Sequence, residues 1–498
     1  MRQGLVFSII MMGMVCGCAL AAGGTLPGTG TEADPYLIED VNDFDAFANP
    51  ANAATYWAAG VHTKLMTNID LSGRTYTTAV IAPDTDDQNE GFQGALFTGV
   101  FDGNDFTVNN LTIYSAVMDY ANLGLFGWIS ASGGEVKNLN IDNIAITIVS
   151  ESHRIGGLAG QNDGGVISCH MSGSVRGYNA VGGLVGANLG YITNSSSKSD
   201  VIGTQDSIGG LVGYNSPTGN VTNCYSTNTV SGIQNVGGLV GFNHYGNVNN
   251  SHSNGNISGV HYAGGLIGKN IGGINPIGQN PGGVITKCYS TCNASGDRYI
   301  GGLVGMNERG NITNCYSTGN VNGGGVVGGL VGYNTSEHDQ YSATITNCYS
   351  IGSVDGDEYI GGLVGFDYIG TLSKNYWDIE TSETTDGVGD EDPDPAGVTG
   401  KTTTEMMTQS TFTGWDFMND WMMLRESEDY PRLAWQETFM GDIAGLYGVD
   451  MVDFAWLASW WNEPVCDDSN QWCQGADIDG SGDVGISDLA YIAQDWLK

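Results

Sequence analysis

A right-handed parallel β-helix, mainly β in content and followed by a small α-helical module, is the fold that the sequence predicts, and three observations predict it. A five-residue phrase recurs, as GGLAG at Gly156, GGLVG at Gly182, Gly209 and Gly237, GGLIG at Gly264, and GGLVG at Gly301, Gly328 and Gly361. The copies follow at steps of 26, 27, 28, 27, 37, 27 and 33 residues. A second phrase, VTNCYST at Val221, ITNCYST at Ile312 and ITNCYSI at Ile345, returns in weaker form at Ile192, Val248, Ile285 and Leu372. The third observation is compositional: Gly is 78 of 498 residues, about twice the usual ~7%. With Pro at 11, no Gly-X-Y period and 41% hydrophobic residues, collagen and wholesale disorder are both excluded.

A period near 27 with short β-branched runs and no helical stripe excludes helical repeats, and it is too short for a four-stranded propeller blade. It suits one turn of a β-helix, with coils stacked at ~4.8 Å. One coil buries too little to fold alone, so stability must come from stacking like residues on like. Each phrase is preceded by Val, Ile or Ala, from Ile155 and Val181 to Ile360, and Leu at its centre should point into the core. Glycine is expected at corners with positive φ and where backbones approach closely, and Asn at left-handed positions and in hydrogen-bonded ladders. The long steps mark insertions, Ile271 to Gly282 and Thr335 to Ala343.

Cys169, Cys224, Cys288, Cys315 and Cys348 share one repeat position with Ser195 and Ser251, which reads as a buried column of small side chains. A line of sulfurs does not suit tetrahedral zinc. Tyr225, Tyr289, Tyr316, Tyr349 and Tyr376 follow that column and should face the other way. They form either a structural stack or an aromatic ladder for sugar rings.

The repeat phrases resemble the GLUG motif, found in bacterial surface and exported proteins, including adhesins and immunoglobulin-cleaving metallopeptidases. The resemblance covers about Leu123 to Asp378 and implies a β-helical stalk or binding rod. Peptidase relatives carry H-E-x-x-H, and none of the seven His here begins that motif.

The flanks divide the rest of the chain. Residues 1–21 read as a signal peptide, with Arg2, an apolar run and Ala19-Leu20-Ala21. A competing reading lipidates Cys18 in a loose lipobox. Either implies a secreted or cell-surface protein, and no later run is long enough for a membrane span. Residues 22–122 should hold a cap and the first coils, with a short helix capped by Asn42 or Asp43 that carries Phe44 and Phe47 on one face. The repeat β-helix is assigned to 123–377. Residues 378–400, with eight acids and no base in Asp378 to Asp394, read as an acidic linker or loop. The aromatic-rich 401–437 (Trp415, Phe417, Trp421, Tyr430, Trp435) reads as a C-terminal cap, with an aromatic ligand platform as the alternative.

Residues 438–498 carry the sharpest chemical signal. Asp477 to Asp488 spans twelve residues, with Asp477, Asp479, Ser481 and Asp488 at positions 1, 3, 5 and 12, Gly482 at 6 and Asp483 at 7. Calcium takes six to eight hard oxygens, and a calcium loop of the EF-hand type places them in this pattern. Asp483 would contribute its backbone carbonyl. An offset of 35 residues overlays this unit on Asp442 to Trp461, where Ala444 and Leu446 replace ligands, so one sound Ca2+ site is expected. Two calcium-loop-plus-helix units resemble the type I dockerin module, which implies a cohesin-like domain or envelope scaffold as partner. Cys466 and Cys473, between the units, are a candidate disulfide.

A formal net charge of -38, with 16 Lys+Arg against 54 Asp+Glu, makes nucleic acid an unsuitable partner. The expected function is a non-catalytic, exported β-helical protein for adhesion or binding, attached through the calcium-dependent module, with polysaccharide a candidate ligand. The competing reading is a β-helix polysaccharide lyase or glycoside hydrolase carrying a dockerin. The repeat region has few bases, and none sits beside an acidic cluster of the kind lyase chemistry needs.

Overall fold

A computed structural model describes residues 25–86, 91–115, 122–149, 153–273, 282–336, 342–436, 451–461, 466, 473, 476–478 and 483–495. The chain is mainly β, and its parallel strands wind into a solenoid. The repeat phrase builds one face of it. Strands such as Val185–Asn188, Val212–Asn215 and Val240–His244 form a nine-stranded parallel sheet from Phe126–Ile129 to Val364–Tyr368. Its register runs Val185, Val212, Val240, Ile267, Val304, Val331, Val364, so the sequence period is the physical coil. Leu184, Leu211, Leu239, Leu266, Leu303, Leu330 and Leu363 are all fully buried in one continuous core.

The second phrase builds the next two faces. Short strands such as Tyr191–Thr193 and Asn220–Thr222 end at Asn194 and Asn223, whose φ values of 53° and 54° turn the chain into the following strand. Here Asn supplies the left-handed corner, where its short polar side chain is tolerated. The expectation that glycine would supply the corners is corrected for the repeated phrase, none of whose glycines has positive φ. They are required by close approach. A Cβ on Gly183 would collide with the carbonyl of Gly210 on the adjoining coil and with the hydroxyl of Ser197 across its own coil.

A second Asn position lies inside. Asn162, Asn188, Asn215, Asn243, Asn270, Asn307 and Asn334 are fully buried, and each amide donates to the next side-chain oxygen, at 2.7–2.9 Å from Asn162 to Asn334. In low dielectric such a chain holds register as well as energy. Insertions leave this register intact: Gly273 and Gly282 pair at the base of the first, and Ile271 still pairs with Glu308.

At the start, helix Val41–Ala48 closes the rod. Its N-cap is Asp40, which corrects the assignment to Asn42 or Asp43. Asp40 is extended, and its carboxylate accepts from the N–H groups of Asn42 and Asp43 at 2.8 and 2.9 Å. Phe44 and Phe47 are buried as expected, with Phe47 against Phe97 and Phe101. The cap covers an edge that would otherwise stay open.

The acidic segment is not a linker. Strand Asn375–Asp378 pairs in parallel with Val398–Lys401, Leu363 and Val364 donate to the carbonyl of Gly387, and Val388 is fully buried. Residues 378–400 are therefore a further coil. Their carboxylates serve the backbone: Asp394 accepts from Gly387 and Val388, and Asp378 from Glu380 and Thr381.

The following segment is likewise not an end cap. Residues 401–436 fold back along the flank of the rod, and Trp435 donates to the carbonyl of Lys287 at 2.7 Å. Beyond it, helices Met451–Ser459 and Ile486–Asp495 share a small core of Leu457, Cys466, Cys473, Ala476, Val484 and Ile492. Among the described residues, no helix is long and apolar enough to cross a membrane. Residues 1–24, on which the expected signal peptide and Cys18 fall, lie outside the described residues.

Candidate functional site

Three places answer to the residues singled out in the sequence, and a fourth was missed. The first is the C-terminal loop. Asp477 is nearly buried and Asp488 fully so, and the Asp488 carboxylate clasps the loop shut. Its Oδ1 accepts from the N–H of Ile478 at 2.7 Å and its Oδ2 from that of Gly485 at 2.8 Å. The two ends of the twelve-residue segment are thus held together, with Val484 in the module core. The carboxylates of Asp477 and Asp488 are hard oxygens of the kind calcium prefers. Asp479 and Ser481 lie outside the described residues, as do Asp442 and Asp450 of the first unit. Among the described residues, no group of three His, Cys, Asp or Glu converges as a metal site. The sulfurs of Cys466 and Cys473 are bonded, with Cα atoms 5.1 Å apart.

The second is the Tyr column. Tyr225, His252, Tyr289, Tyr316 and Tyr349 stack almost parallel, with centroids 4.7–5.2 Å apart. Each interior ring therefore gives both faces to its neighbours. The outer edges of Tyr316, Tyr349 and Tyr376 are covered by Phe412, Trp415, Trp421 and Leu433 from the folded-back segment. Tyr349 Oη donates to the Pro431 carbonyl at 2.6 Å, Gln436 donates to Tyr316 Oη at 2.7 Å, and Lys287 pairs with Asp420 at 2.8 Å. Burial pushes the Tyr316 and Tyr349 phenols well up and lowers His252 to about 4. With both faces taken, the interior rings His252, Tyr289 and Tyr316 cannot lie flat against sugars, and the roof spends its own aromatics on the column.

The third is the thiol column. Cys169, Cys224, Cys288, Cys315 and Cys348 are free and buried, and burial pushes Cys169 and Cys224 up to about 12. Small size is half of the requirement. The other half is a heteroatom that receives the N–H of the preceding coil: Ser195 from Cys169, Ser251 from Cys224, Cys315 from Cys288 and Asn375 from Cys348, at 3.0–3.4 Å.

The fourth place is the outer surface of the nine-stranded sheet. The variable residue of the phrase GGLVGxN stacks as Tyr214, Phe242, Lys269, Met306, Tyr333 and Phe366. Beside it run Tyr262 and Tyr299, at corners with φ of 54° and 62°. Tyr262 stacks on Tyr299 at 5.2 Å, and Tyr299 on Tyr333 at 5.3 Å. Lys269 lies 5.7 Å from the Tyr262 ring and Arg298 5.0 Å from that of Tyr299. Most of these side chains are half-buried and none is roofed by the folded-back segment. The available signal was the aromatic bias of the variable position, which repeat alignment treats as noise.

Comparison with known proteins places GLUG motif repeats in this chain: the family model matches residues 177–202, 205–231, 232–258, 296–322 and 323–355. The unmatched interval between the third and fourth contains the Ile271 to Gly282 insertion. Halomucin of Haloquadratum walsbyi is 34% identical over 164 residues, which are 33% of this chain and 2% of halomucin. A candidate Gly-rich membrane protein of Evansella cellulosilytica is 33% identical over 138 residues, 28% of this chain and 14% of that one. The chain thus spans a small part of either relative. A solved structure of a candidate immunoglobulin A1 protease from Bacteroides ovatus aligns over 82% of this chain and 95% of its own, with 17% identity and a TM-score of 0.34.

Proposed function

We propose that this chain is a non-catalytic binding protein of the cell exterior, a β-helical rod held to a cohesin-like partner by its C-terminal calcium-loop module. The observation that carries the attachment is the clasp at Asp488, which brings both ends of the Asp477 to Asp488 segment together ahead of helix Ile486–Asp495. A loop so closed can gather the oxygens of Asp477, Asp479, Ser481, the Asp483 carbonyl and Asp488 about one Ca2+. Calcium would then fix the pose of the helix that the partner reads. The rod itself supports binding, because its coils repeat a structural interior and vary mainly at outward positions. Relatives named halomucin and Gly-rich membrane protein support a place outside the cytoplasm.

The test is calcium titration of the full-length protein by calorimetry, with capture on immobilised type I cohesins in calcium and in chelator. Calcium-dependent capture that Asp477→Ala abolishes supports the reading. Tight capture in chelator, or unchanged calcium stoichiometry in Asp477→Ala, refutes it.

A further inference from the structure

The rings of the outer sheet face are half-buried, which leaves part of an aromatic strip in contact with water. Tyr316, Tyr349 and Tyr376 are covered by Trp415, Trp421 and Leu433, whereas Phe242, Tyr262 and Tyr299 have no such roof among the described residues. The same patch gathers charge of the unexpected sign. The whole chain has 16 Lys+Arg and a net charge of -38, yet three cations lie on this patch, Lys269 and Arg309 about one carboxylate and Arg298 over a tyrosine ring. Glu308 is shared by Lys269 at 3.1 Å and Arg309 at 2.7 Å, Lys269 also lies over the Phe242 and Tyr262 rings, and Arg298 is exposed over Tyr299.

We propose that this face binds an extended, carboxylate-bearing polysaccharide, with the Lys269 and Arg298 cations meeting uronate groups and the Tyr262, Tyr299 and Tyr333 edges and hydroxyls lying along the sugar backbone. The inference rests on reading the rod as a binding protein and names its ligand. Charge complementarity selects the ligand class. A few cations about an aromatic strip match a chain whose charges are spaced by whole sugars. They do not match nucleic acid, whose charge density of one per about 1.7 Å would be repelled by the acidic remainder. The coil spacing of ~4.8 Å is close to the length of one hexose, so rings on successive coils meet successive units. The site has an end. Past Arg298 the sign reverses, with Asp297 beside Gly324 and a notch of about 650 Å³ lined by Asp355, Asp357, Glu358, Glu383 and Asp386, which turns an anionic chain away.

The experiment is calorimetry of the full-length protein with polygalacturonate, with a neutral β-glucan and with a sulfated glycan, at low and raised salt. Polygalacturonate is expected to bind in preference to both, less tightly in salt. Lys269→Gln with Arg298→Gln should weaken it by about tenfold or more, the scale of lost charge-assisted contacts. Both side chains lie outside the core, and an unchanged unfolding midpoint would show the fold intact. If wild type and the double variant bind polygalacturonate equally, this face is the wrong site, while the binding-rod reading stands. Equal or tighter binding of the neutral or sulfated glycan overturns the uronate assignment. Failure to bind any glycan overturns the inference but leaves cohesin capture to judge attachment. Concentration-dependent self-association lost in the double variant would assign the face instead to the acidic notch of a second copy.

Discussion

The side-chain amide of Asn334 donates to the carboxylate of Asp367, and this bond ends the buried ladder that begins at Asn162. The rungs from Asn188 to Asn334 both accept and donate, whereas the Asp367 side chain only accepts, with its second oxygen taking the N–H of Gly370 at 3.2 Å. The main-chain N–H of Asp367 donates in turn to Asp390 on the last coil. Burial raises the Asp367 carboxyl to about 6, against the lowering effect of the Asn334 and Gly370 hydrogen bonds.

A pH dependence follows from that ladder end. The folded pKa lies above the unfolded value of about 3.9, so the native state holds the proton more tightly and ionisation of Asp367 costs stability. The cost is absent below about pH 4 and complete above about pH 6. Raising the pH through this window should therefore lower the urea midpoint of wild type more than that of Asp367→Asn. Asp390 and Asp394, also raised by burial, contribute the same sign to both proteins. Parallel profiles for the two would refute the assignment.

The thiol column predicts an exchange rule. Ser251 is fully buried and accepts from the N–H of Cys224 at 3.1 Å. Ser251→Ala leaves that donor unpaired, at about 1–3 kcal/mol, while Ser251→Cys keeps a heteroatom there and should cost much less. Denaturant unfolding of the two variants checks this. The same burial predicts that the free thiols stay unreactive toward a thiol reagent until the protein is unfolded.

The folded-back segment predicts a local weakness. Tyr349 donates to the carbonyl of Pro431 where both are buried, and Trp421 packs against Tyr316, Tyr349 and Trp415. Trp421→Ala should cost about 3–5 kcal/mol, felt first in the roof because the coils keep their own ladder. Limited proteolysis should then cut within 402–436 while the coils resist. Cleavage of the coils at the same rate would show that roof and rod unfold together.

These cases mark what the sequence could reveal. The coil period was legible because identical residues must stack, so each step between GGLxG copies is also a strand register. The small-residue column was legible for the same reason. The last coil was not, since Val388 and Val398 are its sparse apolar contacts and its acids resemble a solvated loop when read locally. Nor was the roof, which joins Trp435 to Lys287 across 148 residues, a separation that no local pattern encodes. The uncovered aromatic face escaped because it occupies the position at which the repeat varies.

Glycine gives the sharpest separation between conformational and steric demand. Gly183 has no positive φ, yet a Cβ there would strike the Gly210 carbonyl on the next coil and the Ser197 hydroxyl across its own. Gly60, by contrast, has a φ of 77° and open space around it. Gly60→Ala should therefore cost only the left-handed backbone penalty, about 1–2 kcal/mol. Gly183→Ala must push two coils apart and lengthen the Gly183-to-Gly209 and Gly157-to-Gly183 hydrogen bonds, now 3.2 and 3.0 Å, so it should cost more. Because all coils share one core, the damage should spread along the rod as a lower and broader thermal transition. If Gly183→Ala melts at or above Gly60→Ala, close packing is not what the repeated glycines provide.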